Sequence, residues 1–352
     1  MMKKIISILL MLALLLCGCE MDAQYAATEP ATTAAVSDSD TLTVHFIDVG
    51  QADCALLECG GEFMLIDGGN VEDSSLVVSY LQSCGVEELK TVVCTHAHED
   101  HVGGLDGVMA VFPTQAVYAP TTTYSSTCFD KFMYYVDQQG LTVTIPSPGD
   151  QMTLGSAEIT VVGPVESYAD TNNTSIVLKV EYGSTAFLFT GDMETNAEND
   201  MLDYWGDDMD WNVDVLKVGH HGSSTSSSYR LVYEADPEYA VISVGEGNSY
   251  GHPHDEIVAR YNDAGIPMFR TDELGTITAV SDGTTITMTW EKTQNEPADV
   301  EPAVTQYIGN VNSKKFHSPT CGNLPKEENR TYFDSYQDAI DAGYTACGSC
   351  LG

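Results

Sequence analysis

Three of the chain's nine histidines and an aspartate fall within Thr95-His96-Ala97-His98-Glu99-Asp100-His101. Imidazole nitrogen and carboxylate oxygen together suit zinc and similar divalent transition metals. The spacing supports that chemistry. His96 and His98 are two apart, so on an extended segment they point the same way. Asp100 and His101 then follow on a turn and can reach a second ion. A polar surface loop that is merely rich in histidine would rarely concentrate ligand types this way.

The elements that must position this cluster are legible around it. Thr91-Val92-Val93-Cys94-Thr95 is apolar and β-branched and reads as a buried strand. Gly103 and Gly104 let the backbone turn tightly beside the ions. Upstream, residues 41–47, 54–58 and 62–66 read as strands, with Cys59-Gly60-Gly61 as a hairpin turn. Residues 74–84 have helical spacing that Gly85 would stop. Short strands followed by alternating helices and strands predict packed sheets with helices outside. Downstream, Asp192 ends the apolar strand 185–190 and is placed to bridge two ions. It also precedes a helix running through Met201, so a helix N-cap is a compatible role. His220 and His221 end another apolar strand, 213–218. Neighbours on an extended segment point opposite ways, so only one of them should complete the second ion's shell.

Three further groups would face substrate. Ser223 and Ser224, after Gly222, offer N–H groups and hydroxyls to phosphate oxygens, unless they form only a flexible serine loop. Lys217 either neutralises substrate charge or is an ordinary surface lysine. His252 and His254 flank Pro253 in a loop where a histidine could donate to phosphate or protonate a leaving oxygen. A plain loop histidine is the competing account. Asp48 and Asp67 each follow a strand and could orient a ligand imidazole.

His-x-His-x-Asp-His resembles the signature of the metallo-β-lactamase fold, which implies an α/β sandwich of αββα layering. Phe46-Ile47-Asp48-Val49-Gly50-Gln51-Ala52-Asp53, Leu65-Ile66-Asp67-Gly68-Gly69, Thr190-Gly191-Asp192, Leu216-Lys217-Val218-Gly219-His220-His221-Gly222-Ser223 and Asn248-Ser249-Tyr250-Gly251-His252-Pro253-His254 sharpen the likeness. Together they are similar to the hydrolase domain of the ComEC competence proteins over about 42–290. That resemblance implies two divalent ions, zinc or manganese, held by His96, His98, Asp100, His101, Asp192 and His220. It turns His221 toward the substrate and makes Asp100, His221 and His252 the catalytic set. Many superfamily members carry a further histidine between the first cluster and the strand-end aspartate. No histidine occurs between His101 and His220 here. Thr171-Asn172-Asn173-Thr174-Ser175 takes that place, with Asn173 supporting the first ion and an amide or water substituting for the nitrogen.

Composition bounds the partners. A formal net charge of -38 disfavours nonspecific nucleic-acid binding through a basic face, though ions can invert the field locally. Lys3 and Lys4, the apolar run 5–16 and then Cys17-Gly18-Cys19 read as a signal peptide, too short to span a membrane. It resembles the bacterial lipoprotein signal, with residues 1–18 removed and lipid on Cys19, outside the cytoplasm; an uncleaved anchor would give the same side. Residues 19–40 are Ala, Thr, Ser, Asp and Pro and read as a tether. The hydrolase domain covers 41–291 and a polar linker 292–304.

The tail, 305–352, needs a staple at its size. His317, Cys321, Cys347 and Cys350 form two close pairs suited to a closed structural zinc site; a disulfide is the competing reading. The tail is similar to the metal-binding domain of the Ada methylation-response proteins, with a histidine at the first ligand position, which puts methyl acceptance in doubt. Cys54, Cys59, Cys84, Cys94 and Cys128 read as mostly buried thiols.

Three functions follow as expectations. The first is a lipid-anchored phosphodiesterase or nuclease in which activated water attacks phosphorus and His252 or water assists the leaving oxygen. The second is a cell-wall phosphocholine esterase. The third is a binding lipoprotein that has lost turnover. A β-lactamase is least supported. No organic cofactor is implied, and a monomer is expected.

Overall fold

The computed structural model describes residues 41–292, 306–318, 321–333 and 336–351. The signal segment, Cys19, the tether and nearly all of the linker lie outside the described residues.

Two sheets face each other. One has eight strands, with Leu42–Phe46, Ala55–Cys59, Glu62–Ile66, Leu89–Val93 and Thr114–Tyr118 running across its middle. The other has seven, with Val177–Tyr182, Thr185–Phe189, Val215–Lys217 and Tyr239–Ile242 as neighbours. Alternation decides which side chains meet. Val44, Phe46, Leu57 and Met64 turn inward from the first sheet onto Leu178, Val180, Phe187 and Phe189 of the second. Phe46 and Phe189 stack across the gap with ring centroids 5.9 Å apart.

Helices cover both outer faces. Ser74–Ser83, Leu105–Val111 and Thr127–Gln138 bury Val77, Leu81, Val108, Phe129 and Phe132 against the back of the first sheet. Thr195–Trp205, Tyr229–Ala235 and Asp255–Asp263 do the same on the second through Met201, Leu231 and Ile257. The layering is αββα, as the resemblance implied. Among the described residues, no helix is long and apolar enough to cross a membrane.

Within each sheet the strands next to the site run parallel. Glu62–Ile66 pairs with Leu89–Val93, and Thr185–Phe189 pairs with Val215–Lys217. Parallel neighbours end at the same edge, so Asp67, the histidine cluster, Asp192 and His220-His221 all emerge together.

The tail forms its own four-stranded sheet from Tyr307–Asn310, Lys315–His317, Arg330–Phe333 and Thr345–Ala346, with one helix at Tyr336–Asp341. Among the described residues its buried hydrophobic cluster is small: Tyr307, Phe316, Ala339, Tyr344 and Leu351.

Candidate metal centre

Asp67 fixes the first loop. It leaves its strand at φ 60° and turns its carboxylate back under the histidines. Oδ1 accepts from the Thr95 N–H at 2.7 Å, and Oδ2 from the Thr95 hydroxyl at 2.6 Å. The same Oδ2 lies 2.8 Å from His101 Nδ1. That occupies Nδ1 and leaves Nε2 to face the site, the arrangement expected of a carboxylate that orients a ligand. Asp100 and His101 sit in the short helix Glu99–Val102 rather than in a plain turn. Gly104 is needed there because a Cβ would meet the Gly68 carbonyl.

Asp192 is the centre of the cluster. Its N–H donates to Ser175 Oγ at 3.0 Å, which holds it at the strand end. Oδ1 lies 3.3 Å from His101 Nε2. Oδ2 lies 3.7 Å from His221 Nε2, 3.8 Å from His220 Nε2 and 3.9 Å from His96 Nε2. Burial pushes the Asp192 carboxyl up, but His101, His221 and His96 outweigh it and hold the group well below the usual carboxylate range. Asp192 is not the helix cap. Glu194 is the N-cap residue of Thr195–Trp205.

The two adjacent histidines exchange their expected places. His221 is buried, with Nε2 3.3 Å from Asp100 Oδ2. Its Nδ1 lies 2.9 Å from the Ser243 carbonyl and 3.2 Å from Asp53 Oδ1. His220 is half-buried at the cavity wall, with Nδ1 3.1 Å from the Thr225 hydroxyl. The segment is not extended. His220 and His221 both have left-handed backbones, at φ 50° and 53°, so the rule of opposite faces does not apply. Both rings turn toward Asp192.

Asp100, His101, Asp192 and His221 each offer an atom within 4.8 Å of the others. His101 Nε2 and Asp192 Oδ1 are buried and lack a well-formed hydrogen bond, although they face each other. Buried polar atoms without partners are expensive, and a cation between these donors would satisfy both. His96 and His98 adjoin this group, with His96 Nε2 3.1 Å from His98 Nδ1. Burial and the neighbouring His101 push the His96 imidazole well below its ordinary value, so it is neutral, as ligation requires. The residues fit a divalent-metal centre.

Several supporting roles differ from expectation. Lys217 does not face substrate. Its Nζ is buried 2.8 Å from Asp53 Oδ2 and donates to the Val218 carbonyl. Asp53 is therefore the carboxylate that backs His221, a role the sequence reading missed. Asp48 supports no imidazole. It accepts from the Gly50 N–H and lies 3.5 Å from Lys292 Nζ. Asn173 Oδ1 accepts from the Glu194 N–H, whereas Asn172 borders the cavity with a buried Oδ1 that lacks a partner. Ser175, also missed, lies 3.4 Å from His96 Nδ1.

A cavity of about 690 Å³ opens over the cluster. His98, Asp100, Asp192, His220, His221 and His252 line it. Ser223, Ser224 and His254 do not. Ser223 Oγ pairs with the Thr225 hydroxyl, and His254 Nδ1 accepts from the Ser224 N–H, so these groups lock the loop. His252 does face the cavity. Burial, with His221, His254 and His220 nearby, pushes it down to about 4, so it is neutral near pH 7. Gln51 Nε2 lies 3.3 Å from its Nδ1 and donates there, leaving Nε2–H as a hydrogen-bond donor.

In the tail, His317, Cys321, Cys347 and Cys350 converge within the same 4.8 Å limit. His317 Nδ1 lies 3.4 Å from Cys321 Sγ and 3.9 Å from Cys350 Sγ. All three cysteines are free thiols, as are Cys54, Cys59, Cys84, Cys94 and Cys128.

Comparison with known proteins agrees with this architecture. Residues 47–246 match the Metallo-beta-lactamase superfamily, and residues 290–351 match the metal binding domain of Ada. ComE operon protein 3 of Bacillus subtilis is 27% identical over 253 residues, which are 66% of this chain and 32% of that protein. Competence protein ComA of Neisseria gonorrhoeae is 30% identical over 235 residues, 65% of this chain and 31% of that one. The chain thus spans about a third of the length of these relatives. Among solved structures, the metallo-beta-lactamase fold protein YhfI from Bacillus subtilis aligns with a TM-score of 0.47 at 14% identity, covering 66% of this chain and 96% of that one.

Proposed function

Because the chain belongs to the metallo-beta-lactamase superfamily, we propose that its cluster is a two-ion hydrolytic centre that cleaves phosphodiesters, with nucleic acid or nucleotides as substrate. The observation that carries this reading is Asp192. One buried carboxylate is shared among four imidazoles, and its Oδ1 faces an equally unsatisfied His101 Nε2. Divalent ions at such a centre lower the pKa of water toward neutrality and offset charge that develops on phosphorus oxygens.

The chain's own residues do the rest. His96, His98, Asp100, His101, Asp192 and His221 would hold the ions, with His220 beside them. Asp67 and the Asp53–Lys217 pair keep the His101 and His221 rings in one orientation. The Nε2–H of His252 donates to a phosphate or leaving oxygen without giving up a full proton. A relative named for competence supports nucleic acid as the substrate. The tail module would add a docking surface, and a lipid on Cys19 would hold the centre outside the cytoplasm. Acylation of the protein, lost in Cys19→Ala, tests the anchor.

Incubating the full chain with manganese or zinc and single-stranded DNA tests the activity. Cleavage that disappears in Asp192→Asn supports the proposal. Turnover of phosphomonoesters alone, with neither DNA nor a dinucleoside phosphate cleaved in either metal, rejects it, and turnover of phosphocholine esters alone rejects nucleic acid as the substrate.

A further inference from the structure

Apart from its histidines, the charged residues that line the cavity above the centre are all acidic. Beyond Asp100 and Asp192, which face the ions, it is lined by Asp48, Glu72, Asp73 and Glu99. Among the described residues, no lysine or arginine lines it. Two of these acids are held in place. Asp73 Oδ2 accepts from the Asn70 N–H at 2.9 Å and from its side chain at 2.8 Å, and Glu99 Oε1 accepts from the Val71 N–H at 2.7 Å. Of the four, only Asp48 has a lysine near, Lys292 at 3.5 Å. The one lysine beside the site in sequence, Lys217, is buried against Asp53 and turned away from the cavity.

Opposite chemistry stands at the mouth. Tyr250 is 68% exposed, and its ring stacks on His252 with centroids 5.6 Å apart and planes at 22°. His252 in turn lies 6.4 Å from His221 at 24°. Tyr250 offers an exposed aromatic face beside the histidine–carboxylate cluster, the kind of surface on which a base or other ring rests.

Two divalent ions set against Asp100, Asp192 and the hydroxide they generate would leave about one positive charge, enough for one phosphodiester. A polynucleotide brings a further negative charge with each nucleotide, and here it would meet four carboxylates. We infer that this centre selects phosphodiesters with no second negative charge beside the scissile one, seating a ring on Tyr250, over the interior of a polynucleotide strand. The inference rests on the phosphodiesterase reading and names its substrate class.

The test compares thymidylyl-thymidine, which has one phosphate, with circular single-stranded DNA, using the full chain loaded with manganese. The expected kcat/KM per bond is about tenfold or more in favour of the dinucleoside, with the gap shrinking as salt rises. Glu72→Lys should narrow that ratio. Tyr250→Ala should raise KM for the dinucleoside with little change in kcat, and Tyr250→Phe should restore it. Binding gives a second readout. The anisotropy of a labelled oligothymidylate should show affinity that rises between about 50 and 200 mM salt, opposite to a protein that grips phosphates with a basic face. Equal or faster cleavage of the circle, or affinity that falls with salt, overturns this inference alone. No turnover of any phosphodiester overturns the underlying reading and this one with it.

Discussion

The histidine–carboxylate cluster at the sheet edge and the His317–Cys321–Cys347–Cys350 cluster in the tail differ in donors and in what holds them. The first mixes imidazole and carboxylate, opens into a cavity, and sits on two sheets whose shared core runs from Leu42 to Ala279. The second has three sulfurs and one nitrogen, the donor set of a closed tetrahedral site, and the buried core of its module, among the described residues, is small. A large core can hold ligand side chains in place without the ion. A small one depends on the ion to fold. One site should therefore lose activity when stripped of metal, and the other should lose structure.

The largest expected effect follows from that contrast. Chelation should abolish amide-exchange protection across residues 306–351 while the strands of 41–292 keep theirs. Equal loss in both regions would break the comparison. Next comes the exchange of the paired histidines. His221→Ala should lower kcat/KM by about a thousandfold, and His220→Ala by much less. The reverse order would restore the assignment made from sequence. Lys217→Met leaves Asp53 buried without its cation and should lower unfolding stability by about 3–5 kcal/mol, read from denaturant midpoints. The smallest effect concerns orientation. Asp67→Asn should weaken metal binding at the sheet edge by about 10–100-fold while leaving metal binding in the tail unchanged.

The sequence showed the layering, the first ligand loop and the strand-end aspartate because each is local. Glu62–Ile66 has the bounds that its apolar pattern predicted, and parallel strands bring their C-terminal ends to one edge whatever their separation along the chain. The errors lie where backbone or pairing is non-local. The left-handed backbone of His220 and His221 has no signature in two histidines. Whether Lys217 faces in or out depends on Asp53, far away in the chain. Asp48 and Asp53 bracket one turn, and only the packed structure tells which of them reaches an imidazole. Asn172 and Asn173 differ by a single step of a short 3-10 turn, which sends one amide to the cavity and the other to the Glu194 backbone.

Counting metal ions on the intact protein by native mass spectrometry tests the central claim most directly. The two-centre account predicts about three ions per chain, two of which are lost together in Asp192→Ala while the tail keeps one. A wild-type chain that carries a single ion, retained in Asp192→Ala, would contradict it.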